Sequence, residues 1–66
     1  MDDVTDLGKT IRAARKQRGW SQSALAGTAG VSRATVARIE AGRDISATSL
    51  SRLASALDLH LRLLPA

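Results

Sequence analysis

Residues 22–42 read QSALAGTAGVSRATVARIEAG, which has the features of two short helices joined by a tight turn. Ser21 and Ser32 precede the two helical segments, and serine is favoured there because its hydroxyl accepts a hydrogen bond from the first helical turn. Gly30 lies between the segments, where the chain needs a residue that tolerates a positive φ angle. Two helices connected in this way form a helix-turn-helix, so the stretch predicts that motif.

The segments on either side of this motif also have helical patterns. Asp3 can cap a first helix, which Gly19 ends, and Ser46 can cap a last one. Short turns join the segments, so the sequence predicts an all-α domain. The predicted helices cover residues 4–18, 22–29, 33–41 and 47–58.

Apolar residues determine which side of the third helix faces the core. Ala26 supplies a small residue where the second and third helices cross, and Val36 and Ile39 anchor the third helix. With Ser32 as the N-cap, Val31 and Val36 occupy the N′ and N4 positions, which is the spacing of a hydrophobic staple. These anchors leave the opposite face of the third helix toward solvent.

That outward face has a composition suited to the major groove of DNA. Alanines allow close approach, and an arginine can make two hydrogen bonds to guanine O6 and N7. A basic face that is merely solvated is the simpler alternative. We predict that four residues of this face read bases: Arg33, Ala34, Ala37 and Arg38.

Polar side chains at the starts of the second and third helices are candidates for contacts to the DNA backbone. A helix N-terminus attracts phosphate because its N–H groups are unsatisfied and its dipole is positive there. Ser21 and Gln22 begin the second helix, and Ser32 and Thr35 lie at the start of the third. We predict phosphate contacts for all four. The alternatives are simple helix capping by Ser21 and Gln22, and contact of Ser32 and Thr35 with a thymine methyl group.

The composition restricts the classes of function. The chain has 66 residues, ten Lys or Arg, six Asp or Glu and a net charge of +4, and a small basic domain favours a nucleic-acid partner. It has no cysteine and one histidine, with no carboxylate pair in a pocket and no Gly-rich phosphate loop. We therefore expect no enzyme, metal or cofactor.

No apolar run approaches the ~20 residues that cross a bilayer, so we expect no membrane association and a cytoplasmic, nucleoid-associated protein.

The last ten residues, LDLHLRLLPA, depart from the helical pattern. Leucines alternate with polar residues there, which is the period of a β-strand. A lone strand has an unpaired edge and a 66-residue core is small, so we predict pairing with the same strand of a second chain in a homodimer. A layer on the chain's own core is the alternative. We thus divide the chain into a helix-turn-helix domain (1–58) and a dimerisation tail (59–66). The predicted dimerisation residues are Leu57, Leu59, Leu61 and Leu63.

The region from residue 7 to residue 57 resembles the phage repressor and Cro family of helix-turn-helix proteins, also called the Xre family. The resemblance rests on LGKTIRAARKQRGWSQSALA, GVSRATVARIEAG and LSRLASALD. It implies a four-helix, lambda-repressor-like (Cro/C1) domain. It also implies a sequence-specific transcriptional repressor that binds a palindromic operator in double-stranded DNA.

The same resemblance implies roles for individual residues. Gln22 and Arg43 match positions near which the family contacts the phosphate backbone. Arg33, Ala34 and Arg38 match the family's base-reading positions. Arg15 and Glu40 match positions that commonly pair and lock the first helix to the third.

A narrower resemblance, to HipB-type antitoxins, rests on RGWSQSALA with its Trp20, on RATVARIEAG and on the ending LDLHLRL. Such antitoxins are dimeric repressors with a C-terminal strand that pairs across the dimer. The resemblance implies an antitoxin that autoregulates its toxin–antitoxin operon and binds a HipA-like kinase toxin. The alternative is a stand-alone phage or bacterial regulator of the Xre family without a toxin partner.

Overall fold

A computed structural model of the chain describes the backbone of residues 3–58 and the side chains of residues 6–58. Over this described range the chain forms four helices and no strand, and no helix there is long and apolar enough to cross a membrane. The prediction of four helices is confirmed, whereas the predicted C-terminal strand falls on residues 59–66, outside the described residues. The helices are α1 (Asp3–Gln17), α2 (Gln22–Ala29), α3 (Arg33–Glu40) and α4 (Ala47–Ala56).

Serine side chains begin the last three helices, as their positions in the sequence predict. The hydroxyls of Ser21, Ser32 and Ser46 each accept a hydrogen bond from the backbone N–H three residues later, at 3.0 to 3.1 Å. Gly30 ends α2 in the left-handed conformation, with φ at 71°. Because these caps determine where each helix begins or ends, they also set the turn between α2 and α3.

The core lies where α3 packs against α1 and α2, and where α2 packs against α4. α1 and α2 therefore both contact the inner side of α3, and these contacts fix the direction in which its outer side faces. Apolar side chains from all four helices meet there. The largest fully buried side chains are Ile11, Leu25, Val36, Ile39 and Leu53.

Leu57, which the period-two pattern groups with the tail, belongs to this core. It follows Leu53 by four residues, so both side chains fall on the same side of the α4 axis, and Leu57 is only 2% exposed. The side chain of Leu57 therefore packs within its own chain. The other leucines of the predicted dimerisation set, Leu59, Leu61 and Leu63, lie outside the described residues.

Gly8 allows α1 to lie directly against the C-terminal end of α3. A Cβ atom at this position would overlap the carbonyl oxygen of Ile39 and lie 3.4 Å from the Cα atom of Glu40. These are backbone atoms, so no side-chain rotation would relieve the overlap. The contact depends on the absence of a side chain at Gly8.

We expect Gly8→Ala and Gly27→Ala to change the free energy of unfolding in opposite directions. An added Cβ at Gly27 meets no atom within 4 Å, so Gly27→Ala should stabilise the protein by about 0.5–1 kcal/mol, the difference in helix propensity. Gly8→Ala should destabilise it by about 1–3 kcal/mol, because α1 must move away from α3. Urea unfolding followed by Trp20 fluorescence measures both. A Gly8→Ala variant as stable as the parent protein would contradict the close approach of the helices.

Candidate nucleic-acid interface

The four residues predicted to read bases lie together on the side of α3 that faces away from the core. Val36 and Ile39 are buried on the inner side. On the outer side Arg33, Ala34 and Arg38 are exposed and Ala37 is half-buried. The α-helix is thus divided lengthwise into an apolar face and a face with two cations and two small residues. Its small side chains leave room for a surface to approach the backbone closely.

A buried ion pair ties the C-terminal end of α3 to α1. The Nε atom of Arg15 donates to Oε2 of Glu40 at 2.7 Å, and Nη2 donates to Oε1 at 2.9 Å. The two side chains are only 11% and 5% exposed. A third donor, Nη1, reaches the carbonyl oxygen of Trp20 at 2.8 Å, in the turn before α2. One guanidinium therefore holds α1, the α1–α2 turn and α3 together.

The environment of this pair favours the charged forms of both partners. Burial alone would raise the pKa of Glu40. Hydrogen bonds from Arg15 and Gln22, together with the charges of Arg15 and Arg12, outweigh that effect. The pKa of Glu40 therefore lies below its ordinary value of 4.5. The hydrogen bond to Glu40 raises the pKa of Arg15, against the opposing effect of burial. At neutral pH the interaction is a charged, bidentate one, which is the strongest form of such a pair.

Gln22, predicted to contact phosphate, also takes part in this network. Its Nε2 atom donates to Oε1 of Glu40 at 3.3 Å. Gln22 lines a recess of about 270 Å³ together with Arg12 and Ala37. A glutamine amide has two N–H donors, so one is sufficient for Glu40 and the chemistry leaves another for a phosphate.

The other residues predicted to contact phosphate lie around the ends of α2 and α3. Ser21 and Ser32 are exposed, and their hydroxyl oxygens cap the two helices. Ser32 also shares a hydrogen bond of 2.9 Å with the hydroxyl of Thr35, which is half-buried. Arg43 is exposed just beyond α3, where its backbone N–H donates to the carbonyl of Arg38 at 3.0 Å.

The cations around α3 form no ion pair with a carboxylate of the described residues. Arg33, Arg38 and Arg43 are exposed, and the two ion pairs of the described part of the chain involve other arginines, Arg15 and Arg18. Unpaired guanidinium groups on one side of a small basic domain produce a positive potential that attracts a polyanion. This side of the molecule is the candidate interface.

Two features near this interface have no signature in the local sequence. The first is the packing of Gly8 beneath the end of α3. The second is a recess of about 280 Å³ between α3 and the start of α4, where Arg38 and Asp44 lie together. Both contacts join residues of different elements, and a local sequence pattern does not indicate such contacts.

Comparisons with known proteins agree with this description. Residues 11–64 match the profile of the helix-turn-helix family, of Cro/C1 type. Among solved structures, the chain is similar to the restriction-modification controller protein C.AhdI from Aeromonas hydrophila, with a TM-score of 0.80 and 34% sequence identity. The likeness covers 91% of this chain and 92% of that chain. No curated protein matches the chain.

We expect Glu40→Gln to destabilise the protein at neutral pH and to have a smaller effect in acid. The folded-state pKa of Glu40 is lowered, so the stability that its charge supplies is present above the unfolded pKa of ~4.3 and is lost as the pH falls through the folded value. The loss should be about 1–3 kcal/mol near pH 7 and should shrink below about pH 4. Urea unfolding at a series of pH values measures it.

Asp58→Asn is the matched control, because it also removes a carboxylate from an ion pair with an arginine. The side chain of Asp58 is 87% exposed and lies 3.3 Å from Arg18, and solvent screens such a pair. Its removal should change stability little at any pH. If Glu40→Gln had an equally small effect near pH 7, the buried pair would not hold α3 as described.

Proposed function

The chain belongs to the Cro/C1-type helix-turn-helix family, and we propose that it is a sequence-specific transcriptional regulator that reads double-stranded DNA with α3. The observation that carries the proposal is the outer face of α3, where Arg33 and Arg38 flank two alanines and form no ion pair in the described part of the chain. Helix-turn-helix regulators are typically not enzymes, and the proposed activity needs only binding.

In this proposal α3 enters the major groove with its outer face toward the bases. Arg33 and Arg38 donate to guanine O6 and N7, while Ala34 and Ala37 allow the close approach and contact thymine methyl groups. The buried ion pair between Arg15 of α1 and Glu40 of α3 supports this role, because it keeps α3 from rotating about its own axis.

The DNA backbone is held at the edges of the same face. Ser21 and Gln22 at the start of α2 donate to phosphate oxygens, and Arg43 adds a charge beyond α3. Ser32 and Thr35 at the start of α3 also donate there, after the hydrogen bond between their hydroxyls opens. The exposure of both serines and the free charge of Arg43 support this assignment. Such contacts position the protein without reading sequence.

We propose that the protein acts as a homodimer on a palindromic operator. Two copies of α3 would occupy half-sites ~34 Å apart, one turn of DNA. The tail, with Leu59, Leu61 and Leu63, would pair across the dimer. A chain of 66 residues has a small core, so apolar surface buried against a second copy would add stability.

The comparisons favour a stand-alone regulator over an antitoxin. The similar solved structure is a restriction-modification controller protein, and no finding supports HipB-type function or a HipA-like kinase toxin as a partner. Trp20, on which the narrower resemblance depends, has a role inside this chain. Its carbonyl accepts from Arg15, and its ring lies 5.3 Å from the guanidinium carbon of Arg18. We therefore propose a regulator of controller type.

Replacement of Arg38 by alanine should weaken operator binding and relax the preference at one or two base positions. The expected loss is ~1–3 kcal/mol on the selected sequence, because a bidentate contact to guanine disappears. Competition binding with singly substituted duplexes, after selection of a preferred duplex from a random library, measures it. Lys16→Ala, which removes an exposed cation from α1, is the control and should keep the base preference. Equal losses on all duplexes would make Arg38 a phosphate contact.

Deletion of residues 59–66 should convert the dimer to a monomer and leave the four helices folded. The truncation retains Leu57, which the core requires. Sedimentation equilibrium measures the association state, and circular dichroism verifies the helix content. Operator affinity should fall, since each monomer holds one half-site. A folded truncated protein that remained dimeric would refute the role of the tail.

A further inference from the structure

Asp44 is a carboxylate in the connection between α3 and α4, and it lines the same recess as Arg38 of α3. Four carboxylates have described side chains, and two of them, Glu40 and Asp58, pair with arginines. Asp6 lies on α1. Asp44 is exposed and forms no ion pair within the described part of the chain. An acid at the edge of a surface that binds a polyanion opposes affinity, so its position there requires a reason.

The backbone after α3 holds Asp44 close to Arg38. The N–H of Gly42 donates to the carbonyl of Ile39 and the N–H of Arg43 donates to the carbonyl of Arg38, each at 3.0 Å. With Gly42 in the left-handed conformation at φ 83°, this is a Schellman motif. Ser46 then begins α4 as its N-cap. The short segment that carries Asp44 is therefore fixed at both ends.

Arg38 and Asp44 line the same recess of about 280 Å³ between α3 and the start of α4. The remaining lining residues are uncharged: Thr35, Ile45, Ser46 and Ser49. A guanidinium and a carboxylate thus border one recess without forming an ion pair there. Both side chains are exposed, so each can change rotamer without displacing the core.

A carboxylate next to a base-reading arginine has a definite chemical effect. A guanine takes two of the five N–H donors of an arginine, and a carboxylate can accept from the others. A carboxylate that accepts from those donors in the complex holds the guanidinium in the orientation that faces the base. The negative charge also repels phosphate, which disfavours the use of the same arginine as a backbone contact.

We propose that Asp44 is a positioning residue for Arg38 and directs its guanidinium toward a base edge rather than toward a phosphate. This inference rests on the proposed function, in which Arg38 reads a base. In the complex, Asp44 accepts hydrogen bonds from the donors of Arg38 that the base does not use. The base preference at that position therefore depends on two residues, only one of which touches DNA.

A double-mutant cycle tests this assignment. The probes are the duplex that the wild-type protein selects from a random library, its singly substituted versions and a scrambled duplex of equal length. The variants are Asp44→Asn, Arg38→Ala and the two combined, with thermal melting as a check of folding. Asp6→Asn is the matched control for loss of one negative charge. Asp6 is exposed and lies ~200° around α1 from Gly8, hence away from α3.

Asp44→Asn should reduce discrimination at the base position that depends on Arg38 by about five- to tenfold, while affinity for the scrambled duplex stays equal or rises. In the Arg38→Ala background the same substitution should leave discrimination unchanged. A uniform gain in affinity for all duplexes in both backgrounds, like that of Asp6→Asn, would overturn the inference and leave Asp44 as a simple repulsive charge. A wild-type protein that selects no sequence would overturn the proposed function and this inference together.

Discussion

The hydrogen-bonded ion pair between Arg15 and Glu40 is the interaction on which the placement of α3 depends. Arg15 comes from α1 and Glu40 from the last turn of α3, and a further donor of Arg15 reaches the carbonyl of Trp20 before α2. Three parts of the chain that are separate in sequence meet at one planar group. A lysine could not replace it, because an ammonium lacks the fork of parallel donors that matches a carboxylate.

Because the pair is buried, its main contribution is to geometry rather than to net stability. Removal of two charges from water costs several kcal/mol per ion, and attraction offsets this only when the hydrogen bonding is complete. Gln22 adds a bond to Glu40, and no buried side-chain nitrogen or oxygen among the described residues lacks a partner. A displaced α3 would leave buried charges unsatisfied, so one position of the helix is strongly preferred. The outer face of α3 is therefore held in one orientation as well.

Much of this arrangement follows from local sequence. Serine caps, the turn glycine Gly30 and the helical spacing of apolar residues act over three or four positions, so they can be recognised without knowledge of the fold. The outer face of α3 follows as well, since the residues that Val36 and Ile39 leave exposed are determined by 3.6 residues per turn. The assignment of Arg15 to Glu40 depended instead on family resemblance, because the two are distant in the chain.

The meeting of residues from different elements is visible only in the folded chain. Leu57 fits a strand pattern and the α4 stripe equally well, and its burial places it in the core, at the C-cap of α4. Gly8 has no local signature, because the atoms it approaches belong to the end of α3. Arg38 and Asp44 border one recess through the turn after α3. The helices and their faces could be predicted from the sequence, since those depend on neighbours in the chain. The contacts between helices depend on packing, which no local pattern encodes.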